Sequence, residues 1–391
     1  MAKAPSTPGN RTPPLQAGVA SCRNYDCAPH GLLVHPTDVF SIAATPCMRW
    51  VLTGGADGRI RKWDFFASMN GKLPLTSAQR QGHVDSVIKS GVLLSQWVNE
   101  TKEFTETKPA PFKPKTSPVY SLALHSEAVW ALAGLETGAI HLYTVRHEEG
   151  RCHHVLKHHT STVSVLQLAN DEQHAWSGGW DKLVCQWDLN TGQMVRSFAE
   201  HGSQISSLAS RPDQGSAAGA TASGDANLML STSMDGQCLI WDQRQATAAR
   251  KLALADKCPP WCLSACWSTD GQRVYAGRRN GTVDEWDFAD GRLMRQLRLP
   301  QNSGPVSCVA PMPNNRHLLC ASTDNIRLWD LSAPVDARGV PFQIVAGHHG
   351  GIISQLFMDP SCRYMISTSG NRGWDGASNR ACLFYEIKPV H

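Results

Sequence analysis

Short apolar runs that end in Trp-Asp recur along this chain, and a repeat of this kind allows few folds. The pairs are Trp63-Asp64, Trp187-Asp188, Trp241-Asp242, Trp286-Asp287 and Trp329-Asp330, and degenerate endings at Tyr143-Thr144 and Tyr385-Glu386 bring the units to seven. The spacings from Tyr143 to Trp187, from Trp241 to Trp286 and from Trp286 to Trp329 are 44, 45 and 43 residues. They match the roughly 40–45-residue period of repeats that each form four short strands.

The third unit shows how such a repeat folds. Val163–Leu168 alternates in polarity as a first strand does, and residues 175–179, 183–188 and 194–199 follow as three more strands with turn residues between them. Short strands at regular spacing predict a closed all-β architecture. Seven units therefore predict an all-β, seven-bladed β-propeller, in which ring closure removes exposed sheet edges. Most of the thirteen Trp residues are then expected in the cores of the blades.

Three units also share a spaced set of four polar and aromatic residues. An Asp lies six residues before the repeat Trp, a hydroxyl lies four residues before that Asp, and a His begins the unit. The sets are His35, Thr53, Asp57 and Trp63; His159, Ser177, Asp181 and Trp187; and His201, Ser231, Asp235 and Trp241. A buried His needs hydrogen-bond partners, and the other three groups can supply them. These sets resemble the structural network of WD-repeat propellers, and the fifth unit departs from it with Ala276 and Asn280.

The composition excludes several classes of protein. Hydrophobic residues form 41% of the 391 residues, which is enough for a substantial core, and the net charge of +4 gives no strong case for nucleic-acid binding. We therefore expect no direct sequence-specific contact with nucleic acid. The thirteen cysteines are an odd number without paired spacing, which favours reduced thiols in a reducing compartment. No apolar signal segment opens the chain and no run of about 18 apolar residues occurs, so we expect a soluble intracellular protein with no membrane contact.

Segments outside the repeat carry further predictions. Residues 1–28 are rich in Pro and polar residues and are predicted to form a flexible N-terminal tail. Residues 31–34 are the candidate outer strand that closes the ring. Residues 67–117 are predicted to be an insertion between blades one and two, either a tolerated excursion or a docking element for a partner.

Two loops interrupt later units. Residues 213–227 are rich in Gly, Ala and Ser and are predicted to be a disordered loop. Residues 370–376 include Arg372 and Trp374 between glycines, which indicates a sharply bent loop with a functional or fold-specific role. The Trp374-Asp375 pair is not a strand ending, because the third strand of the last unit still has to follow it.

The chain carries no motif of a known catalytic or cofactor site. It has no phosphate-binding Gly-rich loop, nucleophile elbow or zinc-protease helix. The cluster from Cys152 to His159 is the best metal candidate, but His159 is assigned to the third blade. Cys258, Cys262 and Cys266 are favoured as small core thiols over zinc ligands. We therefore expect no metal, no cofactor and no enzymatic activity.

Binding is the function that remains, and one face of the ring offers candidate residues. The top face of a propeller carries the loops between second and third strands and the residues that open each first strand. On blades three to five these are Trp180, Met234, Arg278, Arg279, Thr162, Gln204 and Trp261. Trp, Met and Arg are enriched at the centres of protein interfaces, which predicts a protein-binding patch. The alternative is that Trp180 and Trp261 only cover neighbouring blades.

Several non-repeat segments narrow the family. They are residues 48–55 with 60–64, residues 117–122, residues 142–150, the 370–376 loop and the insertion with Val84-Asp85-Ser86-Val87. Over the whole propeller the chain resembles the fungal suppressor-of-Ty WD-repeat subunits of the SAGA transcription coactivator. The resemblance implies a nuclear, non-enzymatic scaffold that contacts TATA-binding protein and other SAGA subunits and regulates recruitment of TATA-binding protein to promoters. The long acidic N-terminal extension of that family is not evident in residues 1–28.

Two other functions stay open at this point. The run from Ile240 to Arg244 resembles the Trp-Asp-x-Arg box of propellers that serve as substrate receptors of cullin ubiquitin ligases. A histone-binding propeller is the second alternative, but its central pocket would need an acidic or aromatic rim, and the top positions contribute Arg instead.

Overall fold

The computed structural model describes residues 13–81, 87–101, 115–212, 228–245, 247–254, 259–323, 325–333, 340–348, 350–372 and 376–391. Within these ranges the chain forms seven blades arranged in a ring, and four antiparallel strands make up the basic blade. The prediction of an all-β, seven-bladed propeller is confirmed. The predicted loop at 213–227 lies outside the described residues.

Six blades are four-stranded sheets, and their strands run in chain order from the centre of the ring to its rim. Blade one contains β2 (Val39–Ala44), β3 (Trp50–Gly55), β4 (Arg59–Asp64) and β6 (Val92–Val98). Blade two contains β9 (Leu122–Leu124), β10 (Trp130–Gly134), β11 (Ala139–Thr144) and β12 (Cys152–Lys157). Blade three contains β13 (Val163–Leu168), β14 (His174–Gly179), β15 (Val184–Asp188) and β16 (Gln193–Phe198).

Blades four to six repeat this order. Blade four contains β17 (Ile205–Ser210), β18 (Leu228–Ser233), β19 (Cys238–Asp242) and β20 (Ala248–Lys251). Blade five contains β21 (Cys262–Trp267), β22 (Arg273–Arg278), β23 (Thr282–Asp287) and β24 (Leu293–Arg298). Blade six contains β25 (Cys308–Pro311), β26 (His317–Ala321), β27 (Ile326–Asp330) and β28 (Phe342–Val345).

Blade seven closes the ring by joining the two ends of the propeller. Its inner strands are β29 (Ile353–Met358), β30 (Tyr364–Ser369) and β31 (Ala381–Val390), and its outer strand is β1 (Asn24–Val34), which pairs antiparallel with β31. The predicted closing strand at 31–34 is therefore part of a longer strand.

The prediction of a flexible tail over residues 1–28 is wrong for its C-terminal part. Residues 24–28 already pair with β31, and Val19, Cys22 and Tyr25 are buried against blades six and seven. The Tyr25 hydroxyl donates to the Val19 carbonyl oxygen at 2.7 Å and accepts from the Asn314 amide at 3.2 Å. Apolar side chains and a satisfied phenol hold this segment on the ring.

The predicted insertion at 67–117 lies only partly between blades one and two: its first part lies inside blade one, before the outer strand of that blade, and its last part follows that strand. After β4 the chain forms α1 (Phe65–Met69), α2 (Ser77–Gln81) and β5 (Lys89–Ser90), returns as the outer strand β6, and then forms the small hairpin of β7 (Glu100–Thr101) and β8 (Lys115–Thr116). Strand β5 pairs in parallel with β1, so blade seven becomes a five-stranded sheet. The insertion thus covers the edge of the strand that closes the ring.

The core is made of apolar clusters between adjacent blades. Trp187, Trp241 and Trp286 of the repeat are each at most 1% exposed, so the Trp-rich composition serves these contacts. The described cysteines are free thiols, and most of them are buried. No helix among the described residues is long and apolar enough to cross a membrane.

Serine side chains of the inner strands tie consecutive blades together. Each hydroxyl donates to a main-chain carbonyl oxygen of the first strand of the next blade or of the residues that open it, at 2.5–2.7 Å. The pairs are Ser41 to Val119, Ser121 to Val163, Ser164 to Ile205, Ser206 to Cys262 and Ser354 to Val39. These small side chains leave a central cavity of about 180 Å³ along the axis of the ring.

Candidate functional site

Blade three contains the complete four-residue network. The Nδ1 atom of His159 lies 2.9 Å from the Asp181 carboxylate, and its Nε2 atom lies 2.7 Å from the Ser177 hydroxyl. The Trp187 indole donates to the same hydroxyl at 2.8 Å. Burial raises the pKa of Asp181, but the hydrogen bond and charge of His159, together with hydrogen bonds from the main-chain amides of Thr160 and Leu183, hold that pKa below its usual value. The network fixes the turn that begins the top loop of this blade.

Blade four uses the same groups with one additional hydroxyl. Ser231 lies 2.6 Å from His201 Nε2 and accepts from the Trp241 indole at 2.6 Å. The Nδ1 atom of His201 reaches Ser233 at 2.9 Å, and Ser233 in turn donates to Asp235. Asp235 is thus joined to the imidazole through Ser233 and not directly.

Blade one does not form the predicted network. The Trp63 indole donates to Thr53 at 2.8 Å, but neither ring nitrogen of buried His35 has a hydrogen-bond partner among the described residues. Asp57 is instead bound by both terminal nitrogens of the Arg61 guanidinium. The prediction that Asp57 orients His35 is wrong, because a nearby cation satisfies the carboxylate more strongly than a neutral imidazole.

Blade five replaces the network with a buried ion pair. The Nε atom of Arg278 donates to Asp284 at 2.8 Å, one terminal nitrogen donates to the Gly236 carbonyl oxygen at 2.6 Å, and both side chains are fully buried. The assignment of Arg278 to an exposed binding patch is therefore wrong.

Blade seven holds a network that the sequence reasoning missed. His348 Nε2 lies 2.6 Å from the Ser367 hydroxyl, and its Nδ1 atom lies 3.2 Å from the Asn379 amide. Tyr385 takes the place of the Trp and Asn379 that of the Asp. The signal in the sequence was His348, followed nineteen residues later by Ser367.

The structure places the other predicted binding residues next to one another on the top face. Met234 donates its main-chain amide to the carbonyl oxygen of Gln204 at 2.9 Å, Trp261 donates to Met234 at 2.8 Å, and Arg279 donates to Trp261 at 3.3 Å. These bonds link the loops of blades four and five. We call Trp180, Gln204, Met234, Trp261 and Arg279 the top-face patch.

The side chains of this patch are partly exposed and firmly placed. Trp180 is half-buried and packs edge-on against Tyr120, with ring centroids 5.2 Å apart. The Arg279 guanidinium lies over the Trp261 ring at 3.9 Å from its centroid, and Arg279 and Gln204 are exposed. The indoles of Trp180 and Trp261 do pack against neighbouring groups, as expected if they cover neighbouring blades, but each indole keeps some surface exposed to solvent. A rigid apolar surface beside a fixed cation suits a protein interface.

Arg372 lies at the top of the central cavity. Its guanidinium enters from blade seven and donates to the carbonyl oxygens of Tyr120 at 3.2 Å and Ser164 at 2.6 Å. The residue is only 7% exposed and, with Trp180 and Met234, lines a small depression there. It therefore connects blade seven to blades two and three. Trp374 lies outside the described residues.

The remaining candidates do not gather into a reactive centre. No group of three or more His, Cys, Asp or Glu residues within the described ranges has the geometry to hold a metal ion. Cys262 and Cys266 are buried in β21, and Cys258 lies outside the described residues. The Arg244 guanidinium binds the Asp242 carboxylate of its own repeat at 2.7 and 2.9 Å.

Comparison with known proteins identifies the family. The model of the SPT8 beta propeller matches residues 25–223 and 213–388. A SAGA complex subunit Spt8 from Schizosaccharomyces pombe is 37% identical over 95% of this chain and 81% of its own length, and SAGA complex subunit SPT8 from Saccharomyces cerevisiae is 37% identical over 93% and 73%. A WD repeat domain-containing protein 83 homolog from Dictyostelium discoideum is 26% identical over 35% of the chain. The chain belongs to the SPT8 beta-propeller family.

Proposed function

We propose that this chain is a nuclear, non-enzymatic subunit of the SAGA coactivator that contacts TATA-binding protein and regulates its recruitment to promoters. The support for SAGA membership is the match to two relatives that are named as SAGA subunits, over most of each relative. The support for a contact with TATA-binding protein is the resemblance of the non-repeat segments to this family.

We assign the contact to the top-face patch. The observation that carries this assignment is the run of main-chain hydrogen bonds from Gln204 through Met234 and Trp261 to Arg279. Because these bonds hold the backbone, little conformational entropy is lost when a partner binds. The opposite face and the rim remain available to anchor the ring in a larger complex. Binding of moderate affinity suits a scaffold that must release its partner at a promoter.

The experiment is a titration of the purified chain with purified TATA-binding protein. Trp180→Ala and Arg279→Ala should each weaken binding by about tenfold or more, since truncation of a central Trp or Arg often costs 2 kcal/mol or more. Met294→Ala and Arg316→Ala are matched controls: both side chains are exposed and lie outside the patch. Circular dichroism establishes that each variant is folded.

One result would contradict the contact itself, and another would contradict only its assignment to the top-face patch. Absence of a complex at micromolar concentrations would remove the direct contact with TATA-binding protein. Full-strength binding by folded Trp180→Ala and Arg279→Ala would keep the contact but exclude the patch. Affinity purification of the tagged chain, followed by identification of co-purifying proteins, tests SAGA membership separately.

A further inference from the structure

A groove runs along the top of blades five and six, beside the top-face patch. It has a volume of about 670 Å³, within the roughly 300–1,000 Å³ of typical ligand sites. It is lined by residues 279–282, 296 and 298–304. None of these lining residues is Asp or Glu, and two of them, Arg279 and Arg298, are cationic. The groove is thus positive, and the amides of several Asn and Gln side chains add polar groups.

Arg279 is held in place before any partner arrives. Its guanidinium lies over the Trp261 indole at 3.9 Å, and its main-chain amide donates to the Trp261 carbonyl oxygen. Trp261 is itself fixed by its hydrogen bond to Met234. An Arg stacked on an aromatic face keeps the N–H groups on its edge available for a carboxylate. The stacking therefore orients the cation without using its hydrogen-bonding capacity.

Neither Arg279 nor Arg298 has a carboxylate partner within the described ranges, and both are exposed. Other arginines nearby do have one. Arg295, three residues before Arg298 on β24, donates to Glu285 at 2.5 Å, and Arg273 donates to the same carboxylate at 2.6 Å. The charges of Arg279 and Arg298 are therefore not compensated within the described residues of their own blade, whereas Arg273 and Arg295 share the carboxylate of Glu285.

We infer that this groove binds an extended acidic segment of a partner protein, with its carboxylates on Arg279 and Arg298. An extended backbone with Asp or Glu side chains complements the positive charge of the groove. The inference rests on the proposed function, because Arg279 belongs to both the groove and the top-face patch. Arg298 lies only in the groove, so the two surfaces can be tested apart.

The test is fluorescence anisotropy of the full chain with a labelled peptide of alternating Glu and Ser. A second peptide with Gln for Glu has the same length without the charge. Arg279→Ala/Arg298→Ala should weaken binding of the acidic peptide by about tenfold or more. Arg49→Ala/Arg146→Ala is the matched control, because it removes two exposed arginines from blades one and two and changes the net charge equally. Its effect should stay below about twofold.

Each outcome decides the inference. An equal loss in both double variants, equal binding of the Gln peptide, or no binding of the Glu peptide would overturn it. So would a short single-stranded oligonucleotide that binds the groove more tightly than the peptide at physiological salt. If the acidic peptide binds through both arginines but TATA-binding protein does not bind, the groove stands and the proposed function fails. If TATA-binding protein binds and Arg298→Ala changes neither ligand, the groove fails and the proposed function stands.

Discussion

Replacement of Arg278 by Met should destabilise blade five through the carboxylate that it leaves behind. Asp284 is fully buried, and in the variant its remaining hydrogen-bond partner among the described residues is the Gln296 amide, at 2.7 Å. The variant also loses the bond to the Gly236 carbonyl oxygen. Removing one partner of a buried ion pair costs about 3–5 kcal/mol, because the other charge stays desolvated.

This free energy converts into a measurable shift in thermal stability. An unfolding entropy of about 2.1 cal/mol/K per residue gives roughly 0.8 kcal/mol/K for 391 residues. A loss of about 3–5 kcal/mol should therefore lower Tm by roughly 4–6 °C. The exposed neighbour Arg279 provides the control, and Arg279→Met should change stability by less than about 0.5 kcal/mol.

Scanning calorimetry of a double-mutant cycle tests the cause. The double variant Arg278→Met/Asp284→Leu removes both charges and should be more stable than Arg278→Met alone, since apolar replacement of a buried pair is often neutral or stabilising. If the loss of unfolding free energy in the double variant equals the sum of the losses in the two single variants, the unpaired Asp284 carboxylate is not the cause and the argument is refuted.

Two further predictions concern the hydrogen-bond networks. Ser177→Ala leaves the buried His159 and Trp187 side chains without this hydroxyl and should cost about 1–3 kcal/mol for each. Thr53→Val should cost less, because among the described residues the Thr53 hydroxyl bonds to one side chain, the Trp63 indole. Equal losses in urea unfolding would contradict this. Burial lowers the pKa of His201 to about 4 and that of His35 to about 3, below the roughly 6.5 of an unfolded His. The unfolded chain then binds protons first, so stability should fall as the pH drops from about 6.5 to 4. His201→Gln should flatten that slope, and an unchanged slope would oppose the assignment.

The sequence predicted strands and hydrogen-bond networks correctly where they depend on residues of a single blade. The strands of the third unit were predicted within one residue, because alternation and turn residues act locally. His159, Ser177 and Asp181 come together for the same reason: their spacing follows the fixed geometry of two hairpins. Closure by residues 31–34 was also predicted, although the full strand is longer.

Predictions failed where the outcome depended on contacts between distant residues. Strand β22 is buried on both faces, so alternation could not show that Arg278 points inward. The His35 network is lost because Arg61 binds Asp57. Arg61 occupies the position that Cys185 has in blade three, so an Arg at this position is a sequence signal that the Asp is bound elsewhere. The place of the insertion depends on β6, which carries no repeat signature.

Pairing between β1 and β31 has a consequence for biosynthesis. Strand β1 (Asn24–Val34) leaves the ribosome long before its partner, which is made only when residues 381–390 appear. At roughly 5–20 residues per second, the interval lasts on the order of tens of seconds. During that time the nascent polypeptide presents unpaired backbone to other chains, which is the situation that chaperones relieve.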